Sequence, residues 1–199
     1  MPADTRERLI ESAIDLVLTS GYNVIGVKEI CQHAGVHKGS FYHYFPSKSD
    51  LVMEALDRQW ARQTQLLLDP VFNQAIPPLD RIVNMFEVMA AHQAHLQHSY
   101  GRVYGCPFGS LAQELSTHDE PLRNKLTFIF HSWEGYIEGA LAEAVAIGDL
   151  LPLEPISQTA QSVLSYLEGL MLMAKTYNDP SLIQRSAQNA KLMIQNTGL

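Results

Sequence analysis

Hydrophobic residues recur with helical spacing along almost the whole chain. Ile10, Ala13, Ile14 and Val17 form one apolar stripe, and Gly21 follows where such a helix would stop. Similar patterns, separated by segments with Gly or Pro, predict further helices over residues 79–99, 108–116, 121–147, 156–177 and 180–196. No segment alternates in the manner of a β-strand. The pattern therefore predicts an all-α protein of about nine to ten helices.

The segment 27–50 carries the most specific pattern. Apolar residues at 27, 30, 31 and 34 predict a short helix that ends at Gly35, and a second short helix follows over 38–45. Pro46 ends that helix, and Ser47 with Asp50 begins a longer one over 47–68. Eight helical residues span about 12 Å, close to the width of the DNA major groove. The arrangement predicts a helix-turn-helix, and the alternative is an ordinary helical hairpin with a solvated polar face.

The string GVHKGSFYHYFPSKSDL, within residues 21–51, resembles the signature of the TetR/AcrR family of bacterial transcriptional regulators. Two positions depart from that signature: His37 replaces the usual Ser or Thr before the second short helix, and Gly26 replaces a Thr before the first. The resemblance implies an N-terminal helix-turn-helix DNA-binding head over residues 1–46. It also implies a helical body over 47–199 that binds an effector and dimerises, with helix four joining the two.

The resemblance assigns roles to eight residues around the second short helix. Those expected to face bases are Lys38, Gly39, Ser40 and His43. Those expected to hold phosphates are His37, Tyr42, Tyr44 and Lys48. The expected partner is a double-stranded, palindromic operator, bound by a homodimer.

The body offers two sets of apolar candidates. Apolar periodicity predicts a lining for a small hydrophobic or aromatic effector at Met85, Phe86, Met89, Phe108, Phe130, Trp133 and Met171. The helices over 121–147 and 156–177 carry more apolar surface than one body can bury fully, which predicts a subunit interface made of two helices from each chain. The alternative is that both stripes lie in the core of a single chain, and the resemblance favours the dimer. Its predicted residues are Trp133, Ile137, Leu141, Leu164, Leu167 and Met171.

Two further groups carry candidate chemistry. Cys106 precedes a short helix, where a thiol can become reactive, and its segment resembles the sensing region of electrophile-responsive family members. The alternative is a thiol packed as a small apolar group. A metal site with two ligands is possible at His92, His95 and His98, which lie three residues apart on one helix. No Cys or carboxylate lies at ligand spacing beside them, so histidines without a metal are the commoner interpretation. The chain contains no catalytic constellation and no cofactor motif.

Charge and hydropathy complete the prediction. Residues 1–62 carry seven Lys/Arg and eight Asp/Glu, so the acidic excess of the chain, net −7, falls mainly in the body. No apolar run approaches the ~20 residues that cross a membrane, and the expected compartment is the cytoplasm. The resemblance implies a ligand-responsive regulator, most often a repressor in this family, and the expectation is that the protein is not an enzyme. The alternative is a helical small-molecule-binding protein or enzyme with a vestigial DNA-binding head.

Overall fold

The computed structural model describes residues 4–152 and 155–196, and regular structure in them is helical throughout. The helices are α1 (Thr5–Ser20), α2 (Val27–Ala34), α3 (Lys38–Tyr44), α4 (Lys48–Gln63), α5 (Asp69–Phe72), α6 (Pro78–Tyr100), α7 (Pro107–Leu115), α8 (Glu120–Ala146), α9 (Ile156–Tyr177) and α10 (Ser181–Asn196). A π-helical turn, Thr64–Leu68, joins α4 to α5. The predicted all-α class is confirmed, and most predicted helix ends lie within a residue or two of the observed ones.

The helices form two compact units. The first contains the described residues up to Arg62 together with Pro107–Ile129. The second contains Gln63–Cys106 together with the described residues from Phe130 onwards. This division differs from the predicted functional boundary after residue 46, because α4 and α7 pack with the head. The functional boundary itself stays a prediction.

The first unit is a small helical head tied to α4 by ion pairs. Its core is apolar and includes Ile10, Ile30 and Phe41, each with no exposed surface. Asp4 precedes α1 but makes no side-chain capping bond. Glu7 instead bonds to Arg58 of α4, and this hydrogen bond is the main reason its pKa is lowered. The pair at the surface thus fixes α1 along α4.

The π-helical turn replaces the end of the single helix expected over 47–68. The Asp69 backbone N–H donates to the Thr64 carbonyl, five residues back, instead of the usual four. Pro70 follows in the first turn of α5. A proline ring inside a regular helix clashes with the carbonyl four residues earlier, which here belongs to Leu66. The five-residue hydrogen bond of the π-helical turn shifts the carbonyls away from that ring, so that the helix can continue to Phe72.

The second unit is built on α6, α9 and α10, with α10 packed against both of the others. Lys191 of α10 bonds to Asp80 of α6 at 2.6 Å, and Arg81 pairs with Glu143 of α8 at 2.6 Å. Along the described chain, every helix is too short or too polar to cross a membrane.

Candidate nucleic-acid interface and sensor body

Helix α3 presents a polar face to solvent. Phe41 and Phe45 point inward and are buried, as their four-residue spacing predicts. The opposite face exposes His37, Lys38, Gly39, Tyr42 and His43, while Ser40 and Tyr44 are half-buried. The Lys38 ammonium lies 5.8 Å from the centre of the Tyr42 ring, and 52% of Tyr42 is exposed. The predicted orientation of this helix is therefore confirmed, and its charge and aromatic surface face outward.

Gly39 lies on this face at a position where the fold of the chain does not require a glycine. A Cβ atom at this position would meet nothing within 4 Å. Glycine inside a helix costs about 1 kcal/mol relative to alanine. The missing side chain leaves the backbone of α3 open to solvent at this position.

The loop between α1 and α2 is held from two directions within the first unit. Glu114 of α7 accepts hydrogen bonds from the backbone N–H groups of Tyr22 at 2.8 Å and Asn23 at 2.5 Å. The Lys48 ammonium donates to the carbonyls of Tyr22 at 2.9 Å and Ile25 at 3.0 Å. This clasp links α7 and the start of α4 to the same few residues of the head.

Lys48 is predicted to hold a DNA phosphate, and the structure gives its ammonium a second task. Besides its two carbonyl bonds, the ammonium lies 3.7 Å from the centre of the Tyr22 ring. Burial lowers the pKa of Lys48, and the neighbouring Glu114 carboxylate opposes that effect. An ammonium has three donors, so one remains beyond the two carbonyls. The phosphate role of Lys48 stays a prediction.

The predicted effector residues divide between the two units. Phe108 is buried in the first unit, where its ring packs edge-on against Trp60 at 5.9 Å. The others lie in the second unit, and all but the half-buried Phe130 are fully enclosed: Met85, Phe86, Met89, Phe130, Trp133 and Met171. The Trp133 indole N–H donates to the Met85 sulfur at 3.2 Å. The effector role of these residues stays a prediction.

The predicted subunit-interface residues need correction. Each is at most 3% exposed within one chain, so it has almost no surface to lose against a second chain: Trp133, Ile137, Leu141, Leu164, Leu167 and Met171. The apolar stripes were identified correctly, but they form the core of the second unit. Different residues of α8 and α9 remain outside: the half-exposed Leu172 and small ones such as Gly135, Gly139 and Gly169, where an added Cβ would meet nothing within 4 Å.

Two family descriptions match the chain. "Bacterial regulatory proteins, tetR family" matches residues 9–55, and "Tetracyclin repressor-like, C-terminal domain" matches residues 78–190. The chain belongs to the TetR family. It is therefore a ligand-responsive transcriptional regulator with a helix-turn-helix head, and TetR-family regulators bind DNA and act as dimers.

Relatives and solved structures agree with this assignment. The chain is 33% identical to the transcriptional regulator AcuR of Cereibacter sphaeroides over 173 residues, which covers 85% of this chain and 75% of AcuR. It is 32% identical to the repressor NemR of Escherichia coli over 125 residues, covering 62% and 60% of the two chains. The crystal structure of reduced E. coli NemR superposes with a TM-score of 0.82 at 26% identity, covering 96% of this chain and 98% of NemR. A TetR regulatory protein from Rhodobacter sphaeroides gives the same TM-score and identity, covering 95% and 98%.

In this TetR-family chain, Cys106 ends a loop that is fixed to α6. The buried Gln93 side chain accepts hydrogen bonds from the N–H groups of Tyr104 at 3.1 Å and Gly105 at 2.9 Å, and donates to the Gly105 carbonyl at 3.1 Å. Gly105 has a positive φ of 72°, and a Cβ there would lie 3.2 Å from the Met171 carbonyl of α9. The loop thus holds Cys106, which is buried, against α9. A role for Cys106 as an electrophile sensor stays a prediction.

The second cysteine and the histidines have simpler surroundings. Cys31 is buried in the head, and burial is the main reason that its pKa is raised. The pKa of His92 is lowered by desolvation first and by the charge of His95 second. Within residues 4–152 and 155–196, no group of three or more His, Cys, Asp or Glu side chains is arranged to hold a metal ion.

Sequence reasoning missed two carboxylates that this TetR-family fold places in specific positions. Glu114 binds the head loop from α7, and Glu168 of α9 accepts a hydrogen bond from the Cys106 thiol. Both lie on helices whose pattern marks them as ordinary polar residues. Only the packing of α7 on the head, and of the Cys106 loop on α9, reveals their partners.

Proposed function

We propose that this protein is a cytoplasmic repressor that binds a palindromic operator as a homodimer and is released by a small hydrophobic or electrophilic effector. The observation that carries the proposal is the outward face of α3, which exposes a lysine, a tyrosine and a histidine. The length of this helix is close to the width of the DNA major groove. The repressors NemR and DhaR are relatives with the same kind of head, which supports repression over activation.

The proposed DNA contacts follow from the positions on α3 and its flanks. Lys38, Gly39, Ser40 and His43 face base edges, and Gly39 lets the helix backbone approach the groove because its side is open. His37, Tyr42, Tyr44 and Lys48 hold phosphates and set the register. A second head, related by a two-fold axis, reads the other half-site about one helical turn away, ~34–36 Å.

The proposed dimer uses the outer strips of α8 and α9. On α8 these are His131, Gly135, Gly139 and Ala142, which lie on one helical face and are exposed. On α9 they are Ser162, Ser165, Gly169 and Leu172, which are also exposed and lie three or four residues apart. Small residues let helix backbones approach closely, so two such pairs form a four-helix interface.

The proposed signal runs through α7. This helix begins directly after Cys106 and contributes Glu114 to the clasp on the head loop. A covalent or bound effector that shifts the start of α7 moves Glu114, and with it the head. A changed distance between two heads weakens both half-sites at once, with a coupling of ~1–3 kcal/mol.

The test is selection of duplex DNA from a random pool by the full-length protein, followed by gel shift with small effectors. We expect an enriched palindrome and loss of the complex when a hydrophobic or electrophilic compound binds. A protein that enriches no palindrome contradicts the DNA-reading proposal. If the protein stays bound to the palindrome in the presence of every compound that binds its body, effector release is contradicted.

The dimer has its own test in the double substitution Gly135→Arg/Gly139→Arg. Both positions have room for a side chain, and replacing a helical glycine favours the helix by up to ~1 kcal/mol, so each chain should fold normally. Sedimentation velocity at micromolar concentration should then show monomers, and the selected palindrome should bind much more weakly. Gln188→Arg, at an exposed site on α10, is the control and should stay dimeric. A dimeric double variant would place the interface elsewhere.

A further inference from the structure

Glu168 is a half-buried acid whose carboxyl group lacks a full set of partners. Its Oε1 atom is sealed from solvent and has no hydrogen-bond partner among the described residues. The carboxyl group also accepts a hydrogen bond from the Cys106 thiol. Burial raises the pKa of Glu168 to about 7, and the bond from Cys106 opposes that rise. Withdrawing a carboxyl oxygen from water without a hydrogen-bond partner costs free energy, and acids with raised pKa values cluster at functional sites.

The thiol that meets this acid is held in place. Gln93 of α6 binds both backbone groups of Gly105, and Gly105 approaches α9 so closely that a Cβ would lie 3.2 Å from the Met171 carbonyl. Cys106 is the next residue. The backbone next to Cys106 is therefore fixed by α6 and α9, beside the thiol that donates to Glu168.

Few other ionisable groups influence this pair. Gln93 is neutral, and no cationic side chain contributes to the raised pKa of Glu168. Lys175, two turns further along α9, lies beside Gly105 through its aliphatic carbons, 3.3 Å from the point that a Cβ on Gly105 would occupy. The Glu168 carboxyl group is therefore the acceptor that the Cys106 thiol meets directly.

We propose that Glu168 is the general base that lets Cys106 add to small α,β-unsaturated carbonyl compounds. This deepens the proposed effector response and rests on it only for the link to DNA. The Cys106 sulfur bonds to the β-carbon as the thiol proton passes to Glu168, and the π electrons of the double bond move to form an enolate. The α-carbon of the enolate then takes a proton from Glu168. No electrons are gained or lost, so neither oxidant nor reductant takes part.

The chemistry favours Glu168 for this role. The thiolate, not the thiol, is the nucleophile, so attack needs an acceptor for the proton. A general base works best when its pKa lies near the working pH, and such catalysis contributes ~10²–10⁴-fold. The enclosed thiol also selects for size, because only a small compound can reach a sulfur with so little exposed surface.

The experiment measures alkylation of the full-length dimer by propenal at Cys106, followed by peptide mass spectrometry across a pH series. In the wild type the rate should rise with an inflection near the Glu168 pKa of about 7. Glu168→Gln should remove that inflection and slow the reaction at neutral pH by ~10–100-fold. Glu168→Asp should restore part of the rate. Glu87→Gln, an exposed carboxylate on α6, is the matched control, and Cys31 in the same digest is the internal reference.

The outcomes separate this proposal from the proposed function. If Glu168→Gln reacts at the rate and with the pH profile of Glu87→Gln, Glu168 is not the base and the inference is wrong. If Cys106 reacts as expected but the alkylated protein keeps its operator affinity, the base role stands and electrophile-driven release is wrong. If the wild-type Cys106 does not react at all, the inference falls, while release by compounds that bind without reacting would still support the regulator.

Discussion

Replacing Lys38 and Tyr42 with alanine is expected to weaken operator binding at least about 100-fold. Each chain loses one cationic and one aromatic contact with DNA, and a contact of this kind contributes ~1–3 kcal/mol. The dimer therefore loses four such contacts. Both side chains are exposed and Phe41 anchors α3 from the other face, so the fold should be unaffected. The measurement is a salt-series titration of the selected operator, in which the variant should also show a smaller salt dependence.

The matched control removes the same chemical groups from the body. Arg185→Ala/Tyr100→Ala deletes one exposed cation and one exposed tyrosine from the second unit, and it should bind the operator like the wild type. Equal affinity of the Lys38/Tyr42 variant and this control would refute the α3 interface. That result would favour the alternative of a helical enzyme or binding protein with a vestigial head.

Gly39→Leu tests the same interface by adding a side chain to α3 instead of removing one. The free protein has space for the new side chain, and leucine is the better helix former, so thermal stability should hold or rise. Operator binding should nevertheless be lost, because the added carbons occupy the space between α3 and the base edges. Retained binding would show that DNA does not approach this side of α3.

The second large effect concerns stability and pH. Glu168→Gln is expected to raise the free energy of unfolding above pH 7 by up to ~3 kcal/mol, since the raised pKa reflects the cost of a buried carboxylate. The folded state holds this proton up to about pH 7, whereas the unfolded chain releases it near 4.5. Wild-type stability from this group should therefore fall as pH rises between these two values and be flat outside them.

Urea unfolding at a fixed dimer concentration, repeated over that pH range, measures the effect. The variant lacks the titrating group, so its curve should lie above the wild type at high pH and meet it in acid. Glu87→Gln at an exposed position should follow the wild type throughout. Parallel curves for Glu168→Gln and the wild type would mean that the buried carboxyl pKa is not raised.

The helices and the orientation of α3 were predictable because both rest on local spacing. Apolar residues four apart must share a helical face, and the spacing of Phe41 and Phe45 therefore indicates the inner face on which both are buried. The subunit interface was not predictable in the same way. Periodicity identifies a buried stripe but does not distinguish burial by the same chain from burial by a second one, so Trp133 and Ile137 were placed at an interface when they belong to a core.

The partners of single polar residues depend on tertiary packing and left no local signal. Glu114 and Glu168 look like solvent-facing residues until α7 and the Cys106 loop are in place. The π-helical turn after α4 also left no local signal in the sequence. A regular helix through residue 68 favours Leu67 on the inner side, whereas Leu68 is fully buried and Leu67 is not. The π-helical turn contains one residue more than a regular helical turn. The residue that faces the core is therefore Leu68 and not Leu67.

That extra residue has an evolutionary consequence. Between positions 64 and 68 the chain contains one amino acid more than a standard helix would need for the same path, and Pro70 is tolerated because of it. Deleting one amino acid here restores an ordinary helix but drives the pyrrolidine ring into the carbonyl of the preceding turn. Descendants that shorten this segment by one must therefore also exchange the proline, so an alignment gap at this point and a non-proline residue at position 70 should be inherited together.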